Sequence, residues 1–201
     1  MQPNRHVRPE FLAAFGELAK RIASTLTHVS KRTLPVKMYV AGGAALHFYT
    51  GHRLSDDIDA SFSHRIALPE DLEVSYKGAD GTAELLYFDR QYNDTLGLLH
   101  EDAYDDSIPL KLDGIDAGLL DVRLLSPLDL AVSKLGRFSD QDRDDIAALA
   151  RLKLVDSGGL RKRAQDAVAG YVGDTDRVRG SIEVACRILD DLEKRSPKRR
   201  T

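Results

Sequence analysis

Tyr39-Val40-Ala41-Gly42-Gly43-Ala44-Ala45-Leu46, followed by Arg53-Leu54-Ser55-Asp56-Asp57-Ile58-Asp59, decides how this chain is read. The pattern predicts a strand, a two-glycine turn into a short helix, and a second strand. Residues two apart on a strand share a face, so Asp57 and Asp59 are expected to point the same way. Backbone N–H groups at a helix start bind phosphate, and glycine lets the phosphate come close. Mg²⁺ prefers one or two carboxylates together with phosphate oxygens. A glycine turn facing a carboxylate pair is the arrangement that holds a nucleoside triphosphate with its metal. Taken singly, the glycines read equally well as a tight turn; for the acids the other reading is a solvated strand end, which gives little reason for two carboxylates on one face.

Working outward, residues 9–28 carry an apolar stripe at helical spacing, Phe11, Leu12, Phe15, Leu18, Ala19 and Ile22. Val36 to Ala41 reads as a buried strand. Ala44 to Thr50 reads as a helix stopped by Gly51 at its C-terminal end. Asp57 to Phe62 alternates as one strand with Asp57, Asp59 and Ser61 on its acidic face. Leu72 to Tyr76 and Ala83 to Phe88 form a predicted hairpin around the turn residues 77–81. Leu119 to Leu125 is a further strand, and Ser126-Pro127 caps and opens a helix that runs to about Gly136. Three more helices are expected at about 140–154, 158–171 and 175–195, with breaks at Gly158-Gly159 and Gly173-Asp174. The layout is α+β: a core over 1–125, with a small mixed sheet flanked by helices, and a helical part over 126–201 packed on it. The basic end, residues 194–200, is expected to fray.

Composition narrows the classes. The chain has 201 residues, 42% of them hydrophobic and 30% charged, which suits a globular protein with a real core. A net charge of -3 gives no global electrostatic case for nucleic acid, so such a partner needs a local basic patch. The single cysteine excludes an internal disulfide and a cysteine zinc cluster. Ile182 and Leu189 share a helical face with Cys186, which reads as a buried small residue. None of the six histidines pair at metal-ligand spacing, and neither a nucleophile elbow nor a Walker loop occurs. No apolar run approaches the roughly 20 residues of a membrane span. The N-terminus lacks a signal-peptide core, so the expected address is the cytoplasm, with no membrane partner.

The run from Gly42 to Leu46, with His52-Arg53-Leu54-Ser55-Asp56-Asp57-Ile58-Asp59, resembles the first motif of the DNA polymerase β-like nucleotidyltransferase superfamily. Within it, the similarity is to the branch of AbiEii/MenT-like toxins of bacterial toxin–antitoxin systems. Arg53, Ser55, Asp57 and Asp59 match that branch position by position, and Asp56 falls at a free position. Lys134-Leu135-Gly136-Arg137 and Asp142-Arg143-Asp144-Asp145 resemble its later lysine, arginine and Asp-x-x-Asp segment in residue type. Arg137 stands closer to Lys134 than in the toxin branch, which implies a related but distinct subfamily.

The resemblance implies a nucleotidyltransferase fold, with Mg²⁺ or Mn²⁺ held by Asp57 and Asp59. It places Gly42, Gly43, Arg53 and Ser55 at the phosphates of an NTP, and adds Lys134 and Asp145 as catalytic residues. Enzymes of this kind often use a third carboxylate. Asp121 is one candidate and a metal ligand if so; Asp89 is the second. The implied reaction moves an NMP to an acceptor hydroxyl and releases pyrophosphate. The implied acceptor class is RNA, tRNA among it, with a cognate antitoxin as partner if the chain is a toxin.

Three alternatives stand beside this reading. Asp142, Asp145, Ile146 and Leu149 share one inward helical face, so an internal ion pair of Asp145 with Lys134 or Arg137 is the plainer role for those charges. The acceptor is equally open to a small molecule or a protein hydroxyl. A catalytically inactive interaction module of the same fold is the third. Arg161, Lys162, Arg163, Arg177, Arg179 and Arg187, with the basic tail, offer a face for a nucleic acid backbone or a merely solvated helical surface.

Overall fold

The computed structural model describes residues 6–94 and 97–195. The basic tail beyond Arg195 lies outside the described residues. The fold is mixed α+β, with small sheets and, among the described residues, six α-helices. The chain divides into two compact units, Met1–Tyr92 with Ser107–Leu125, and Asn93–Asp106 with Ser126–Thr201. Among the described residues no helix is long and apolar enough to cross a membrane.

The first unit opens with α1, Pro9–Thr25, whose stripe from Phe11 to Ile22 is buried as its spacing requires. A 3₁₀ turn at Leu26–His28 ends it. Strand β1, Val36–Val40, runs into α2, Gly42–Thr50, which starts two residues before the predicted Ala44. Gly51 closes α2 at φ 61°, and its N–H donates to the His47 carbonyl at 2.8 Å. Phe48 of α2 packs on Phe11 and Phe15 of α1, with ring centroids 5.9 and 5.0 Å apart. Tyr49 donates its hydroxyl proton to the Leu125 carbonyl at 2.8 Å.

Asp57 to Phe62 is not one strand. It forms β2, Asp57–Ile58, and β3, Ala60–Phe62, which belong to different sheets. The remaining strands are β4 (Glu73–Lys77), β5 (Ala83–Phe88), β6 (Ile108–Pro109) and β7 (Leu120–Leu124). One sheet has the order β3-β1-β7-β6, with β1 and β7 parallel. The other has the order β2-β5-β4, with β2 and β5 parallel and β4 and β5 the predicted hairpin. The handover falls at Asp59. Its carbonyl accepts from the Ala41 N–H beside β1 at 2.8 Å, while the preceding Ile58 carbonyl accepts from Asp89 at 3.1 Å. Backbone partners on two sheets, rather than side-chain pattern, end the strand there.

The second unit holds α3 (Pro127–Leu135), α4 (Asp140–Arg151), α5 (Ser157–Val168) and α6 (Thr175–Arg195). Each of the first three is capped by a side chain. Ser126 accepts from Asp129, Ser139 forms a capping box with Asp142, and Asp156 accepts from Gly159. The expected break at Gly158-Gly159 moves accordingly: the break is at Asp156, and both glycines lie in the first turn of α5. Cys186 is fully buried, and burial pushes its thiol up. Segment 93–106 belongs to this unit although it interrupts the first in sequence. Arg163 bridges Asp106 and Asp129 with contacts of 2.7 Å to each.

Candidate active site

The first unit brings Gly42, Gly43, Arg53, Ser55, Asp57 and Asp59 into one neighbourhood. Gly42 adopts φ 58°, a left-handed conformation that glycine takes without strain. A Cβ on Gly42 would overlap Asp59 Oδ2 and lie 2.8 Å from its Cγ. A Cβ on Gly43 would overlap Ser55 Oγ and lie 3.0 Å from Arg53 Nη1. The two glycines thus make room first for the chain's own side chains. That contact sets Asp59 against the start of α2, where the helix dipole favours negative charge.

Asp57 is oriented by its neighbour. Ser55, 7% exposed, donates its hydroxyl proton to Asp57 Oδ1 at 2.6 Å. Asp57 itself is half-buried, as is Asp59. The parallel register pairs Asp57 with Tyr87 and Ile58 with Phe88, so Asp89 follows beside Asp59. Tyr87 feels this acidic surrounding: Asp57 foremost, then burial and the carboxylates of Asp89, Asp56 and Asp59, push its phenol up.

Of the two candidates for a third carboxylate, register favours Asp89. Asp121 faces Lys37 on β1, whereas Asp59 pairs at the level of Ala41. Four residues of strand separate those levels by about 13 Å. Asp121 instead forms an ion pair with Arg123 at 3.0 Å. Asp89 accepts from the Gln91 N–H at 2.8 Å, a turn contact at the end of β5. Among the described residues no group of three carboxylate, histidine or cysteine side chains is assembled for a metal ion.

Sequence reasoning gave His47 no role, yet it braces the loop that carries Arg53 and Ser55. Its ring is fully buried. The Arg8 N–H donates to Nε2 at 3.1 Å, so Nδ1 carries the proton and donates to the Arg53 carbonyl at 2.8 Å. Burial lowers the imidazole below its ordinary value, against the opposing bond to Arg53. The signal in sequence is slight: one histidine within an otherwise apolar short helix.

Lys134, Arg137, Asp142 and Asp145 form a network within the second unit. Lys134 Nζ lies 2.7 Å from Asp145 Oδ2 and 3.9 Å from Asp142 Oδ1. Arg137 makes a bidentate pair with Asp142, both contacts at 2.8 Å. Burial alone would raise the Asp142 carboxyl, but hydrogen bonds from Arg137 and Ser139 outweigh it and hold it at about 2. The basic residues of the later helices are largely engaged as well. Arg161 pairs with Glu183, Arg163 with Asp129 and Asp106, and Arg179 with Asp176, while Arg177 donates to the Gly136 carbonyl.

The chain matches no curated protein and no solved structure. A family model described as a nucleotidyltransferase of unknown function (DUF6036) matches residues 17–183, a span that includes the glycine turn, Asp57, Asp59 and the Lys134 network. The chain therefore belongs to this family of nucleotidyltransferases.

Proposed function

We propose that the chain binds a nucleoside triphosphate with Mg²⁺, or Mn²⁺, and transfers its nucleoside monophosphate to an acceptor hydroxyl with release of pyrophosphate. The packing of Gly42 and Gly43 on Asp59, Ser55 and Arg53 carries this reading. With the Ser55–Asp57 bond, it joins a helix N-terminus, the carboxylates of Asp57 and Asp59 and a guanidinium in one place. The donors fit a hard cation: they are oxygens, and two carboxylates leave positions for substrate phosphate. Asp57 and Asp59 would hold the ion, which supplies charge neutralisation at the phosphates when bound. The N–H groups at the start of α2 would take phosphate oxygens, and Arg53 would pair with them through its fork of donors. Ser55, donating to Asp57 Oδ1, would hold that carboxylate in place.

Lys134 and Asp145 enter this reading through their ion pair. A lysine that turned to a triphosphate would take the ammonium away from the buried Asp145 carboxylate, at a cost of about 3–5 kcal/mol. Their first task is thus to hold α3 and α4 together.

We further infer a cytoplasmic enzyme with an RNA 3′ end, tRNA among the choices, as acceptor, and a toxin role with a cognate antitoxin. Similarity of the motif residues supports that part. The helical arginines lend it little, because most are engaged within their own unit. Calorimetric titration tests the core reading: Mg²⁺-dependent NTP binding is expected in the wild type and lost in Asp57→Asn. No such binding in the wild type sinks it. Growth arrest on expression that persists in Asp57→Ala and Asp59→Ala would refute the toxin mechanism.

A further inference from the structure

We propose that Tyr87 is itself a nucleotidylation site, its phenol accepting the nucleoside monophosphate in cis. This rests on the nucleotidyltransferase reading above and adds to it an acceptor that the chain carries.

Three observations place the phenol. First, the parallel register sets Tyr87 directly beside Asp57, on the neighbouring strand. Strands lie about 4.8 Å apart and paired residues share a face, so both side chains rise from the same side of the sheet. Second, that side is open. Leu86 and Phe88 point the other way and are buried, and α1 packs on β4 and β5. Tyr87 and Leu85 are 38% and 43% exposed on the free face. A tyrosine side chain there is neither core nor buried by another element of its unit. Third, β2 lies between the glycine turn and β5: α2 packs on β2, and β2 pairs with β5.

In-line displacement turns this order into chemistry. The attacking oxygen enters opposite the leaving pyrophosphate. With the β- and γ-phosphates on the α2 turn, the attacker comes from the β5 side of Asp57. Tyr87 supplies a hydroxyl on that side. Its Oη forms a bond to the α-phosphorus, the bond from that phosphorus to the bridging oxygen breaks, and pyrophosphate leaves with the bonding pair. The phenolic proton passes to water among the surrounding carboxylates. The product is a tyrosine–nucleoside monophosphate phosphodiester, with no change in oxidation state.

The test uses the purified full-length chain, Mg²⁺ and each of the four ribonucleoside triphosphates labelled at the α-phosphate. Intact mass of the chain as isolated from cells is a second readout, independent of added nucleotide. The expected result is label on the protein, mapped to the peptide holding Tyr87, at a rate per molecule independent of protein concentration. The label should vanish in Tyr87→Phe and in Asp57→Asn, while Tyr87→Phe still binds NTP by calorimetry. NTP binding without label on Tyr87, or label that persists in Tyr87→Phe, overturns the proposal and leaves the enzyme reading standing. A wild-type chain that binds no NTP overturns both.

Discussion

Two pairs of aspartates, one in each unit, have opposite surroundings. Asp57 and Asp59 stand half-buried at the junction of two short sheets, against a glycine turn. Asp142 and Asp145 are sealed within helices, each matched to a cation at 2.7 to 2.8 Å. The first pair keeps partial exposure to solvent. The second pair has spent its charge on Lys134 and Arg137. Exposure and setting, rather than the presence of two acids, thus separate a pair suited to ligand chemistry from a pair that holds helices together.

The comparison breaks most readily at the first pair. Asp57→Asn or Asp59→Asn should lower nucleotide transfer by about 10²–10⁴-fold, the scale of losing a metal or electrostatic contact at a transition state. The melting temperature should hardly move. A large loss of stability with unchanged transfer would reverse the roles assigned to the two pairs.

Lys134→Ala should do the opposite and destabilise by about 3–5 kcal/mol, read in a denaturant midpoint, because the buried Asp145 carboxylate loses its cation. Lys134→Met with Asp145→Leu should recover most of that stability. If the double variant folds well but transfers no nucleotide, the ion pair has a catalytic share as well.

Gly42→Ala should cost about 1–2 kcal/mol for the left-handed backbone, and more because the new methyl meets Asp59. NTP affinity should fall with it. The smallest effect concerns His47. Its pKa is lowered in the folded state, so the unfolded chain binds the proton more readily. The stability it contributes is complete above its ordinary value of 6.5 and is lost as pH falls below it. His47→Gln should flatten that part of a melting-versus-pH curve. The added proton falls on Nε2 and displaces the Arg8 N–H, while Nδ1 still donates to the Arg53 carbonyl, so NTP affinity in the wild type should change little over the same interval.

Most helices and the strand hairpin were legible because local periodicity and caps specify them: Phe11 to Ile22, Ser126-Pro127, and the turn between β4 and β5. The inward face of α4 was legible for the same reason, but the sequence left Lys134 and Arg137 as alternative partners of Asp145, and the structure pairs Lys134 with Asp145 and Arg137 with Asp142. The chain break at Asp59 was not, because it depends on backbone partners from two sheets. The two-residue strand β6 is too short to carry a pattern. Asp89 and Tyr87 gained their places only through the parallel pairing of β2 with β5, which joins residues about 30 apart. Segment 93–106 shows no composition shift that would assign it to the second unit. Its membership comes from contacts such as Arg163 with Asp106.

The handover at Asp59 has a mechanical consequence. Asp57 belongs to one sheet, and Asp59 is the joint to the other. The gap between the two carboxylates is therefore gauged like the jaws of a caliper, by the angle at which the sheets meet. Phe62 and Phe88, one from each sheet and 5.9 Å apart, act as its set screw. Repacking that aromatic contact should change the spacing of the two carboxylates, and with it the proposed grip on a cation, without touching either aspartate.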